Sequence, residues 1–90
     1  MSDFNYDFIT TNLDRLWSFK ISKDGKTALI GFGDDEGQLA QFDIEEKEVS
    51  KSYWTEGSYT LSIEFLSNFK AIIGTNNGFV MSIDLKKKVF

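Results

Sequence analysis

Apolar and polar residues alternate with period two along most of this chain, the spacing that sends successive side chains to opposite faces of a strand. The cleanest stretch interleaves Tyr59, Leu61, Ile63 and Phe65 with Thr60, Ser62 and Glu64. Phe4, Tyr6 and Phe8 alternate with Asn5 and Asp7 as a short amino-terminal strand. Trp17, Phe19 and Ile21 do the same with Ser18 and Lys20, and residues 22–26 (Ser-Lys-Asp-Gly-Lys) supply a hairpin turn. Residues 27–32 are a continuous apolar run, as a strand covered on both faces would be. Further strands are expected over 38–44, 49–54, 70–74 and 79–85, with a stub at 88–90, separated by turns rich in Asp, Glu, Asn and Gly. Helix is confined to a turn or two within 11–16, with Asn12 as its cap. The pattern predicts eight or nine strands in antiparallel sheets. Their core is expected at Phe19, Ile21, Leu29, Ile30, Phe42, Leu61, Ile63, Phe65, Ile72 and Ile83, with Trp17 assigned to it by parity.

The pattern also repeats. Trp17-Ser-Phe-Lys-Ile21, Ala28-Leu-Ile-Gly31 and Phe42-Asp43-Ile44 have counterparts in Leu61-Ser-Ile-Glu-Phe65, Ala71-Ile-Ile-Gly74 and Ile83-Asp84-Leu85. Gly31 to Gly74 spans 43 residues and Asp43 to Asp84 spans 41, the first copy's turn at 34–37 being two residues longer. A period in the low forties with four strands per unit is that of a propeller blade. On these residues the chain resembles the WD-repeat and related β-propeller families over about residues 16–90. The phrase Ile21-Ser-Lys-Asp-Gly-Lys26 looks like their first hairpin turn, and Phe42-Asp43-Ile44 and Ile83-Asp84-Leu85 stand where their Trp-Asp pair stands. Neither copy carries a Gly-His dipeptide or a Trp before the Asp, and residues 66–70 (Leu-Ser-Asn-Phe-Lys) replace the Gly turn in the second. The resemblance implies a binding platform in preference to an enzyme, and an amino-terminal strand that completes the last blade.

The expected architecture is therefore a single all-β domain over residues 1–90: antiparallel sheets forming two propeller-blade-like four-stranded units with an extra amino-terminal strand. Residues 3–12 act as the strand or cap, 16–54 as the first blade-like repeat and 59–90 as the second. The Met1 start and the capping strand point to a complete chain. Two blades do not close a ring, since rings hold about 4–8. Two apolar faces and several strand edges stay open, to be covered by further copies, by a partner, or by merging of the sheets into a small sandwich.

Composition removes much chemistry. The chain has no Cys and no His, so it has no disulfide, thiolate site or imidazole base. Its net charge is −4 and its only Arg is Arg15, which leaves no basic footprint for nucleic acid. No apolar run approaches the ~20 residues of a membrane helix, and no signal-peptide pattern opens the chain, so a cytoplasmic location is expected. No EF-type calcium spacing occurs among the acids, and Gly31-Phe-Gly33 is followed by acids rather than a helix, which excludes a phosphate cradle. No cofactor, no metal and no catalytic residue is expected.

Charge then supplies the candidate site. Residues 34–48 hold seven acids, among them Asp34, Asp35, Glu36, Glu45, Glu46 and Glu48, against Lys47 alone. They read either as solvated turns or as an acidic surface that steers a basic partner. Tyr53 and Trp54 are the nearest aromatic anchors and Glu56 a neighbouring acid. Two function classes follow. One is a small non-catalytic inhibitor that occludes a basic protein such as a nuclease toxin, as immunity proteins do. The other is a structural interaction module, a self-assembling or partial propeller, possible as a homo-oligomer, with Trp17 or Trp54 available for lectin-like stacking on sugars.

Overall fold

The computed structural model describes residues 11–33, 38–55 and 58–86. Within them the backbone forms seven strands: β1 (Leu16–Ile21), β2 (Thr27–Phe32), β3 (Gln38–Asp43), β4 (Glu48–Trp54), β5 (Thr60–Ser67), β6 (Lys70–Thr75) and β7 (Val80–Asp84). They pair antiparallel in chain order, as a four-stranded sheet β1-β2-β3-β4 and a three-stranded sheet β5-β6-β7. Within each sheet every strand pairs with its neighbour in sequence, so short-range signals suffice to set the order of strands.

The β1–β2 turn shows how. Asp24 Oδ1 accepts from Ser22 Oγ at 2.6 Å and from the Lys26 amide at 3.1 Å, and Gly25 takes a positive φ of 75°. The Ser22 hydroxyl bond, the Lys26 amide and the Lys26 charge hold the Asp24 carboxyl below its ordinary value of 3.8. The Asp24 amide in turn donates to Asn68 Oδ1 at 2.8 Å, tying the first hairpin to the β5–β6 turn of the other sheet.

The sequence repeat is a repeat of register. Ser18, Phe19, Lys20 and Ile21 pair with Gly31, Ile30, Leu29 and Ala28, just as Ser62, Ile63, Glu64 and Phe65 pair with Gly74, Ile73, Ile72 and Ala71. Ala28 opposite Phe42 matches Ala71 opposite Ile83. Even the irregularity recurs: the register shifts between Leu16 and Ser18 and again between Thr60 and Ser62. Trp17 and Leu61 are the extra residues of these two bulges, which takes them out of the alternation around them.

The core lies between the sheets. Leu29 and Leu39 of the first meet Ile63, Phe65, Ala71, Ile73 and Ile83 of the second, with Tyr53, Met81 and Leu85 at the margin. These residues define an inner face on each sheet. Parity places Ser18 and Lys20 of β1 on the inner face with Leu29, and Phe19 and Ile21 on the outer face with Ile30 and Ala28. At the sheet-to-sheet crossing Ser18 Oγ donates to the Thr60 carbonyl at 2.7 Å, and Thr55 Oγ1 donates to the Ser58 carbonyl at 2.6 Å.

Several expectations are corrected here. Leu29, Ile30, Phe42, Ile63, Phe65 and Ile83 are buried, but Phe19 is 64% exposed, Ile21 and Leu61 are also exposed, and Ile72 is half-buried. The alternation sorted Phe19, Ile21, Ile63 and Phe65 onto faces, but the bulges took Trp17 and Leu61 out of it, and it carried no information on which face another sheet would cover. Trp17 is 40% exposed at the sheet edge, where its Nε1 donates to the Gly33 carbonyl at 2.7 Å and its ring meets Tyr59 at 4.8 Å. No helix forms between residues 11 and 16, since Asn12 and Arg15 take positive φ values of 59° and 29°. The second sheet has three strands among the described residues. The amino-terminal strand expected at 4–8 and the stub at 88–90 lie outside them.

A candidate interaction surface

The outer face of the first sheet is apolar across three strands. Phe19 pairs with Ile30, which pairs with Ala40, and Ile21 pairs with Ala28, which pairs with Phe42. Ala28, Ile30 and Phe42 form a second buried cluster, against which Leu13, Phe32, Ile44 and Val49 pack. The β1 side of this face is not covered: Leu16 is 51% exposed, Phe19 64% and Ile21 48%. Together with Thr11 and Ile44 these side chains line an open trough with about 320 Å³ of room. Isolated exposed apolar residues are common on proteins, whereas a contiguous patch marks a contact surface.

The outer face of the second sheet has a different character. Ser62, Glu64, Ile72, Gly74 and Val80 surround a shallow depression of about 380 Å³. Ser62, Glu64 and Gly74 bring small and polar groups to this face beside Ile72 and Val80, whereas the first sheet's outer face is apolar throughout β1 and β2 at Phe19, Ile21, Ala28 and Ile30. Lys20, on the inner face of the first sheet, reaches around the edge of β5 to Glu64, 3.4 Å away.

The acidic residues do not converge. Glu45, Glu46 and Glu48 are exposed at the β3–β4 turn, where Asp43 Oδ1 accepts from the Glu46 amide at 2.9 Å and Lys47 adopts a positive φ of 58°. Tyr53 and Trp54 stand at the opposite end of β3, paired with Leu39 and Gln38. Five residue steps of about 3.3–3.4 Å separate these ends by about 17 Å, beyond the screening length of about 8–10 Å in physiological salt. Asp34, Asp35, Glu36 and Glu56 lie outside the described residues, as does the side chain of Trp54.

Tyr53 is committed to the fold. Its ring packs at the margin of the inter-sheet core, its hydroxyl donates to Gln41 Oε1 at 2.9 Å, and Lys51 Nζ lies 5.3 Å from the ring centroid. Burial, with the Asp84 carboxylate as a second contribution, pushes the phenol above its ordinary value. Among the described residues no group of three His, Cys, Asp or Glu side chains is placed to hold a metal ion, and no helix is long and apolar enough to cross a membrane. The chain matches no protein-family model, and a search of curated proteins returns no match.

The uncovered face was hidden in plain alternation. Residues 27–32 are apolar at both parities, so two apolar faces were legible. Nothing in the pattern marks the open one: on β1 the polar Ser18 and Lys20 occupy the covered side and the apolar Phe19 and Ile21 the uncovered side, the reverse of the usual polarity.

Proposed function

We propose that this chain is a non-catalytic protein-binding module made of two blade-like sheets of the WD-repeat kind, and that it binds through the outer face of the first sheet. One observation carries the reading: Leu16, Phe19 and Ile21 project side by side from an edge strand at roughly half exposure or more. Fully burying an exposed side chain of this size is worth about 1.5–3 kcal/mol, of which roughly half remains available to each of these, so three of them on one strand favour docking. The surface is a sheet face, and its partner is a protein with a complementary sheet face.

The exposed Glu45, Glu46 and Glu48 favour a second reading, an acidic inhibitor of a basic protein such as a nuclease toxin. It has less support, because Tyr53 is occupied in the core and stands at the far end of β3. Exposed carboxylates contribute to encounter rate and specificity more than to affinity.

An environment-sensitive apolar dye tests the first reading. At sub-micromolar chain the parent should enhance dye fluorescence. The double variant Phe19→Ser, Ile21→Ser should lose most of that enhancement while its circular dichroism stays that of the parent. An absent enhancement in a parent that is monomeric at that concentration, or one that survives both substitutions, would remove the open face from the account.

A further inference from the structure

We infer that the partner of this surface is a second copy of the chain, docked head to tail, with the outer face of the second sheet in one copy against the outer face of the first sheet in the next. The inference rests on the reading of that first face as the binding surface.

The template is the interface inside the chain. There the inner face of the first sheet, with Ser18, Lys20, Leu29 and Gly31, receives the inner face of the second, with Ile63, Phe65 and Ile73. By register, Phe19, Ile21 and Ile30 on the outer face of the first sheet are the equivalents of Ile63, Phe65 and Ile73. Ser62, Glu64, Ile72 and Gly74 on the outer face of the second sheet are the equivalents of Ser18, Lys20, Leu29 and Gly31. The chain thus leaves open one surface of each kind, the first sheet's along its β1 side at Leu16, Phe19 and Ile21, since Ile30 is already buried. They are the two halves of a contact it already makes once.

A detail of the crossing supports this independently. A Cβ placed on Gly31 would meet Ser18 Oγ at 2.9 Å and also Thr60 Cβ and the Thr60 carbonyl, both at 2.8 Å, because the second sheet sits directly on this glycine. A Cβ on Gly74 would meet Ser62 Oγ at the same 2.9 Å and nothing of another sheet. The Gly–Ser hollow is built twice and filled once. Leu16 is the register equivalent of Thr60, so in the docked pair it sits over Gly74 and its carbonyl accepts from Ser62 Oγ.

Charge agrees. Lys20 reaches forward to Glu64 within the chain, and Glu64 reaches forward to Lys20 of the next copy, so the equivalent positions alternate in sign around the assembly. Both side chains are well exposed, so this pair sets register more than affinity. A two-fold pairing of two first-sheet outer faces would instead set Phe19 and Ile21 against their own bulk, with no Gly–Ser hollow to receive them. Head-to-tail contacts close into rings when the rotation between units allows, and rings of about 4–8 sheets correspond to about two to four copies.

Sedimentation equilibrium on the full chain and on two exposed-site variants decides the matter. The parent should form one discrete species of about two to four copies. Phe19→Asp spoils the first sheet's outer face and Val80→Asp the second's; Val80 is 76% exposed, so its replacement spares the fold. Each variant alone should sediment as a monomer, and an equimolar mixture should give a heterodimer through the one intact pair of faces. If Val80→Asp assembles like the parent, the head-to-tail arrangement is overturned. A parent that remains monomeric at its highest soluble concentration yet binds the apolar dye overturns the second copy as partner and leaves the binding surface standing. A monomer that excludes the dye overturns both.

Discussion

Replacing Phe65 with alanine is expected to destabilise the chain by about 3–5 kcal/mol, a large share of the 5–15 kcal/mol that holds a typical domain together. Phe65 is 6% exposed on the inner face of the second sheet, opposite Ala71 and in one cluster with Leu29, Leu39 and Ile83. Its cross-strand partner Ala71 is too small to fill the space, so a cavity cost adds to the lost transfer energy. The control is Phe19→Ala, the same deletion on the uncovered face. At 64% exposure Phe19 has little burial to lose, and its replacement in the monomer should change stability by less than about 1 kcal/mol. Urea unfolding of both variants checks the pair. Equal costs would mean that inner and outer faces have been assigned the wrong way round.

Gly31→Ala should be the next most damaging change, at about 1–3 kcal/mol. The added methyl would lie 2.8 Å from the Thr60 carbonyl, a backbone atom pinned by the sheet crossing, so the two sheets must part to admit it. Gly74→Ala is the matched experiment. Its methyl would meet one hydroxyl, Ser62 Oγ, which can rotate aside, and folding stability should move by less than about 0.5 kcal/mol. Thermal or urea denaturation of the two alanine variants measures the difference. Comparable losses at both glycines would show that the closeness at Gly31 is not what seats one sheet on the other.

Much of this fold was legible residue by residue. The seven strands among the described residues match the expected alternating and apolar runs to within one or two residues at their ends, and the turns fall where Asp, Asn and Gly cluster, because local backbone chemistry decides both. Three strands of the second sheet lie among the described residues and the segments expected to supply a fourth, 4–8 and 88–90, lie outside them, so the blade-like description stays a proposal. What the alternation could not convey was coverage. Phe19 and Phe65 stand in similar patterns, and only the three-dimensional stacking distinguishes an open face from a closed one. Bulges were equally silent: a single extra residue at Trp17 and at Leu61 removes each from the parity that its neighbours obey. The candidate site suffered from distance of another kind. Glu48 and Tyr53 are five residues apart in sequence but sit at opposite ends of a strand, since an extended backbone carries neighbours apart faster than a helix does. Small residues hid the more informative feature, for Ser18 with Gly31 and Ser62 with Gly74 become paired hollows only when strand register is known.

The most direct test of the account is an isotope-filtered nuclear Overhauser experiment on a mixture of labelled and unlabelled chains, which reports proton contacts between copies and no others. Intermolecular contacts are expected from Leu16, Phe19 and Ile21 of one copy to Ile72, Gly74 and Val80 of the next. Contacts linking Phe19 and Ile21 only to the same residues of another copy, or no intermolecular contact at concentrations where the chain sediments as an oligomer, would contradict it.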